Sequence, residues 1–316
     1  VNTAADRLEV FDTAPDPPAF VMSVPVGVDP VSVRARNGGE AWVVNHLSDT
    51  VSVVDLATGA VRATLSTGDE PCDVIFAGIP VRAFVTCSQP SELWVFNPVQ
   101  LGAAPEIVPL VGQEPRALAR SPNGQFVYVA LFESGNRSTV LGGGLDPAAG
   151  PSFPPNVVSH PAGPHGGANP PPNAGAQFDP PVQPALGTPP PVSLIVKKDA
   201  QGRWMDDNGG DWSDFVGGPE AALSGRPVGW DLADHDVARV TASTLAVTYT
   251  QGLMNLCMAL AVSPQSGEVT VVGTDATNEV RFEPNLRGTF LRVLLGRATK
   301  TGAAIGTIDL NPHLDY

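Results

Sequence analysis

The stretch Ala41-Trp42-Val43-Val44-Asn45-His46-Leu47-Ser48-Asp49-Thr50-Val51-Ser52-Val53-Val54-Asp55-Leu56-Ala57-Thr58-Gly59 decides the fold. Two runs rich in β-branched and aromatic residues flank a short polar loop, and a Thr-Gly turn closes the second. Such runs suit pleated surfaces packed on a neighbour. Working outward, the same text recurs behind a turn of fixed form: Gly27-Val28-Asp29-Pro30, Gly68-Asp69-Glu70-Pro71 and Gly112-Gln113-Glu114-Pro115, with prolines 41 and 44 residues apart. After each turn comes a short apolar strand (Val31 to Ala35, Asp73 to Ala77, Arg116 to Arg120). A second strand follows it (Ala41 to Asn45, Ala83 to Cys87, Phe126 to Ala130). The first two repeats add a third strand (Thr50 to Asp55, Glu92 to Asn97) and a fourth before the next turn. Four strands in about 40 residues is the period of a propeller blade.

Residues 41 to 59 resemble a repeat of the YVTN family, whose blades read hydrophobic-V-x-N, a polar loop, then V-x-V-I-D-x-x-T-G. The match is closest over residues 27 to 135 and recurs more loosely over 234 to 296. The resemblance implies an all-β fold, a β-propeller of four-stranded antiparallel blades, in a secreted or periplasmic bacterial protein. Some members carry cytochrome c domains further along the chain. About four and a half blades are counted here, part of a ring that has seven in the family, so the chain is expected to be a piece of a longer protein. A ring closed with five blades is the alternative.

Composition agrees with many short strands: Gly and Pro number 33 each and charged residues make up 16% of 316. The net charge is −14, with no basic run able to neutralise a row of phosphates, which argues against nucleic acid. No apolar run approaches a membrane span. Three cysteines form neither C-x-x-C nor C-x-x-C-H, so covalent haem within this stretch is not expected.

The register breaks after Phe132. The third and fourth strands of that blade are expected at Asp236 to Thr241 and Leu245 to Thr250, and the next blade at Cys257 to Val262, Glu268 to Gly273, Glu279 to Glu283 and Thr289 to Leu295. At the front, Leu8 to Phe11 and Phe20 to Val26 read as a half blade. The organisation is therefore blades over 1–139, an insertion over 140–233 and blades again over 234–316. Residues 147 to 191 hold fifteen prolines and lack the periodicity of a core of their own. Phe153, Val157, Val158 and Phe178 read as apolar anchors for a loop lying over the propeller, and Val192 to Val196 as a strand. The loop from second to third strand lies on the same face as the Gly-x-x-Pro turns, the face expected to bind ligands or partners.

On that face Asp29, His46, Glu70, Asp73, Arg116 and Glu133 are the candidate residues. Asp206, Asn208, Asp211 and Asp214 cluster around Gly209-Gly210, an oxygen-rich loop suited to Ca²⁺, although no carboxylate falls where an EF-hand needs its twelfth ligand. The competing reading is a solvated turn. His160, His165 and His46 are candidate metal or haem-proximal residues. His235, in Asp234-His235-Asp236, is another, read first as a hydrogen-bonded structural histidine because neighbours in a strand face opposite ways. Cys72 and Cys87, at opposite ends of one hairpin, are expected to form a cross-strand disulfide. No nucleophile elbow, Walker loop or H-E-x-x-H is present. The chain is accordingly read as a binding or scaffolding module that docks a protein partner, within a larger cytochrome-containing redox protein in one version. A lactonase-like or other metal-assisted hydrolytic propeller is the alternative, and a surface adhesion protein the second alternative. No cofactor is required beyond the candidate Ca²⁺.

Overall fold

The computed structural model describes residues 1–142, 157–158, 160–167, 194–206, 208–276 and 291–314. The chain is all-β, built of several antiparallel sheets, and divides into two compact units. The first comprises Val1–Ser134, His235–Gly273 and Leu294–Ile308. The second comprises Gly135–Asp234, Thr274–Val293 and Asp309–Tyr316.

The first unit begins with the pair β1 (Arg7–Asp12) and β2 (Ala19–Pro25). Next comes a four-stranded sheet of β3 (Pro30–Asn37), β4 (Glu40–Asn45), β5 (Thr50–Asp55) and β6 (Ala60–Ser66), then a second of β7 (Pro71–Ala77), β8 (Arg82–Cys87), β9 (Glu92–Phe96) and β10 (Glu106–Pro109). The third set runs β11 (Gln113–Arg120), β12 (Phe126–Glu133), β16 (Val237–Thr241) and β17 (Val247–Thr250), so the chain between β12 and β16 is an insertion. It is joined through one pairing, Glu133 with Leu256, to β18 (Leu256–Val262), followed by β19 (Val269–Ala276), β20 (Leu291–Ala298) and β21 (Ala304–Asp309).

Burial explains why these strands form. Every residue of β4 is buried, while β6 is largely exposed. Alternate residues of the central strands therefore feed two different cores. Ala41 and Val43 pack with Leu8, Val24 and Val54, whereas Trp42 and Val44 pack with Val74, Phe76, Ala83 and Val85 of the next sheet. Phe84 turns the other way, towards Leu118, Val127, Val129 and Leu131. Tyr128 and Ala130 then meet Cys257, Val269, Val271 and Leu294. Four successive inter-sheet cores result. Burying a side chain the size of Trp42 stabilises by roughly 4 kcal/mol or more.

A polar latch ties the β1–β2 pair to the first sheet, the first sheet to the second, and the third set to the turn before β18. Asp6, Asp49 and Ser91 stand immediately before β1, β5 and β9, all with φ between 51 and 54°. Their carbonyls accept the N–H groups of Val26, Thr67 and Leu110. The Asp6 carboxylate accepts the N–H of Asp29 at 2.8 Å, and that of Asp49 the N–H of Glu70 at 3.0 Å. Asp236, before β16, accepts the N–H groups of Leu253 and Met254. The turn glycines permit this approach: a Cβ on Gly112 would strike Leu131, and one on Gly68 would crowd Trp94 and Cys87.

Two expectations are corrected. The last strands are Leu291–Ala298 and Ala304–Asp309, one strand later than Glu279 to Glu283 and Thr289 to Leu295, because Thr299 to Gly302 forms the hairpin turn. Residues 277–290, where the first of those was placed, lie outside the described residues. Val157 and Val158, expected to anchor a loop lying over the propeller, pack into a core of the insertion itself, with Leu141, Leu194, Val196, Trp204, Trp212, Phe215 and Val216. It carries a three-stranded sheet, β13 (Ser138–Leu141), β14 (Leu194–Lys198) and β15 (Trp204–Met205), and one helical turn, α1 (Ser213–Val216). The apolar residues that build it come mostly from beyond the proline-rich text. Phe153 and Phe178 lie outside the described residues.

Candidate functional site

In the first unit the inner strands β3, β7, β11 and β18 are successive neighbours. Each of β3, β7 and β11 has a register shift straight after its proline, at Pro30/Ser32, Pro71/Val74 and Pro115/Leu118. A bulge adds a residue to one strand and re-aims its side chains. Here the residues at the bulges, Val31, Ser32, Cys72, Asp73, Arg116 and Ala117, line one cavity of about 450 Å³, together with Arg34, His46 and Met258.

Three of the six face residues proposed from sequence, His46, Asp73 and Arg116, meet in this cavity. The His46 Nδ1 lies 3.1 Å from the Pro71 carbonyl. A carbonyl only accepts, so Nδ1 carries a proton, and Nε2 is the ring nitrogen left outside this contact. Asp73 is a junction piece. Its Oδ1 accepts Ser32 Oγ at 2.6 Å and the Val74 N–H at 2.8 Å, while Oδ2 accepts the Leu118 N–H at 2.9 Å, linking β3, β7 and β11. The Arg116 guanidinium lies over the Phe132 ring at 4.0 Å and reaches Glu114 Oε2 at 2.5 Å, and its buried Nε has no hydrogen-bond partner among the described residues.

Asp29, Glu70 and Glu133 do not line the cavity. Asp29 and Glu70 hold the left-handed turn position before proline, at φ 57 and 52°, and their carbonyls accept the N–H groups of His46 and Ser88. Glu133 ends β12 where it meets β18. Arg34 and Ser32 were missed by sequence reasoning, because only the bulge reveals that their neighbours share an opening.

All three cysteines are free thiols, which corrects the expected Cys72–Cys87 disulfide. Cys87 pairs with Pro71 and packs into the core with Trp42 and Val85, and the bulge carries Cys72 out of register. The Cys72 Sγ instead contacts the Glu70 carbonyl at 3.4 Å, with His46 Nδ1 at 4.0 Å. Burial raises the Cys72 pKa and pushes that of Cys87 up to about 12, so both stay protonated at neutral pH.

His235 stacks on Tyr249 at 4.0 Å, and its Nδ1 lies 2.7 Å from the Val111 carbonyl, while the Val111 N–H donates to the Tyr249 hydroxyl. This is a structural clamp. In the second unit the Asp206 carboxylate is turned inward. It accepts Trp212 Nε1 at 2.8 Å, His165 Nε2 at 2.7 Å and the N–H groups of Asn208 and Gly210 at 2.8 Å. Burial pushes its pKa up, but these donors outweigh burial and the net shift is downward. Asp211 accepts the hydroxyl and N–H of Ser213, and Asp214 sits in α1. The oxygens that the Ca²⁺ reading needed converging are thus committed to protein donors or spread along the turn. His160 packs edge-on against Phe215. Among the described residues no group of three or more His, Cys, Asp or Glu is placed to hold a metal.

No protein-family model matches the sequence, and no curated protein matches it by sequence. Solved structures do resemble the fold. Hydrazine synthase from Kuenenia stuttgartiensis aligns over 100% of this chain and 63% of its own length, with TM-score 0.53 and 14% identity. The chain therefore spans less than two thirds of that protein, and at this identity the likeness is one of fold. Weaker likenesses are to a putative 6-phosphogluconolactonase from Bacteroides uniformis (TM-score 0.39, 15% identity, 96% of this chain and 76% of that one) and to the WD40 repeats of RRP9 (TM-score 0.34, 9% identity, 44% and 42%).

Proposed function

We propose that the four-stranded sheets are blades of a β-propeller and that the cavity where their inner strands begin binds a small anionic ligand. The observation that carries this reading is the convergence of one structural position, the bulge after the turn, from three successive repeats. Arg116 supplies the recognition group: its flat guanidinium, backed by Phe132, matches a carboxylate or phosphate edge. His46 Nε2, the ring nitrogen not engaged by the Pro71 carbonyl, is placed to bond a ligand hydroxyl. The extracytoplasmic location implied by the repeat text belongs to the same reading.

A concave, partly charged site of this size suits a small molecule better than a flat docking face does. Docking of a protein partner, alone or in a redox assembly, is the competing outcome. The test is calorimetric titration of the full chain with a panel of small carboxylates and phosphates. Saturable binding that Arg116→Gln weakens about tenfold supports the proposal. Equal binding by wild type and Arg116→Gln sinks it.

Hydrolysis is a second reading, favoured by the contact of His46 Nδ1 with the Pro71 carbonyl. An imidazole in its neutral form can deprotonate a water, and a guanidinium beside it can stabilise the oxyanion formed on attack at a lactone carbonyl. Turnover of a lactone panel that falls about a hundredfold in His46→Gln supports it. Turnover independent of His46 removes it.

A further inference from the structure

Below the bulges the inner strands continue into a second cavity of about 270 Å³, lined by Arg34, Ala35, Arg36, Ile75, Phe76 and Arg120. Arg34 lines both this cavity and the one that holds His46 and Arg116. Four arginines of two inner strands, Arg34 and Arg36 of β3 and Arg116 and Arg120 of β11, therefore border two adjoining openings. They do so in a chain whose net charge is −14.

The carboxylates that face them are Asp73, Glu40 and Glu114. Asp73 spends its oxygens on Ser32, Val74 and Leu118 and meets Arg34 only at 3.8 Å. Glu40 is shared by Arg36, Arg62 and Trp42 Nε1. Glu114 holds Arg116. Arg120 has one polar contact among the described residues, to the Phe76 carbonyl at 3.3 Å. Arg34, half exposed, and Arg120 thus keep most of their donors free. Placing like charges along one wall costs folding energy through mutual repulsion, and an anion lying between them relieves it. Guanidinium forks at two places along β11, with Arg34 of β3 lining both cavities, suit two separate anionic groups.

Building on the ligand-cavity reading, we propose that the occupant is an elongated small dianion, with one anionic group at Arg116 and the second at Arg120, spanned by Arg34. Phosphate and carboxylate share the chemistry, and paired probes separate them: adipate against hexanoate, and the two-ended phosphodiester hexane-1,6-diyl bis(methyl phosphate) against the one-ended hexyl methyl phosphate, each titrated calorimetrically into the full chain. At least one dianion binds about tenfold more tightly than its monoanionic counterpart. That gain disappears in Arg120→Gln while monoanion binding stays unchanged, and Arg120→Lys, which keeps a point charge, restores part of it. Arg34→Gln weakens both members of the pair. The proposal is overturned if neither dianion gains over its monoanion, or if the gain survives Arg120→Gln. In either case monoanion binding that still depends on Arg116 leaves the simpler cavity reading standing. No binding of any probe, with the variants folded by circular dichroism, overturns both.

Discussion

The repeated sheets and the insertion solve the same problem, burying enough apolar surface, in opposite ways. In the sheets the junctions reuse one packing solution, alternate residues of a buried central strand packing to either side, and at Asp6 and Asp49 a left-handed residue also latches the next turn. Among the described residues the insertion has one core, in which Trp212 makes ring contacts with His165 and Phe215, fastened by one inward carboxylate, Asp206. Repetition spreads stability over many equivalent contacts, whereas the insertion concentrates it in a few.

The largest expected effect separates the two regions directly. Trp42→Ala removes a fully buried indole from an inter-sheet core and is expected to cost about 3–5 kcal/mol in denaturant unfolding of the first unit. Trp212→Ala opens a cavity of similar chemistry, yet hydrogen exchange should accelerate in residues 194–216 and stay slow in β4, β8 and β12. Equal acceleration in both regions would mean that the insertion and the sheets unfold as one.

The latches come next. Asp73→Ala strands donors on three strands and is expected to cost about 2 kcal/mol, and Asp49→Ala about 1 kcal/mol. Ser91 marks the junction where the acidic latch is missing, so Ser91→Asp is expected to raise the unfolding midpoint slightly by offering an acceptor to the Glu114 N–H. A fall would show that the junctions are not equivalent.

Acid sharpens the comparison from the other side. The folded-state pKa of Asp206 lies below its unfolded value, so this group adds stability at pH above about 4 that is lost as pH falls through the folded value. The insertion core should loosen in that acid window, as seen by Trp212 fluorescence, and Asp206→Asn should flatten the acid limb. A limb unchanged in Asp206→Asn would assign the transition elsewhere. The smallest effect concerns the thiols: labelling under denaturing conditions without reductant should count three, and in the native state Cys72 should react slowly and Cys87 not at all. A count of one would restore the disulfide.

The positions of β3 to β5, β7 to β9, β11 and β12 follow closely from the text, since apolar runs set off by Gly-x-x-Pro leave one register that buries both faces of the central strands β4, β8 and β12. The fourth set slipped by a strand, because Leu291 to Ala298 and Ala304 to Asp309 are separated by a turn without proline and the outer strand is exposed, so it carries no alternation to read. Half of the face residues proposed from sequence reached the cavity. The others, Asp29, Glu70 and Glu133, are bound up in turn and strand-end geometry.

By itself the sequence determined the strand order, the interrupted repeat and the acidic balance, because these depend on local periodicity and composition. Only the tertiary structure decided what the polar residues do. Whether Asp73 is a ligand or a rivet, whether Cys72 faces Cys87 or His46, and whether four arginines border adjoining cavities depend on local bulges and on strands from separate repeats. Those are long-range placements, and the chain records no signal for them beyond the residues themselves.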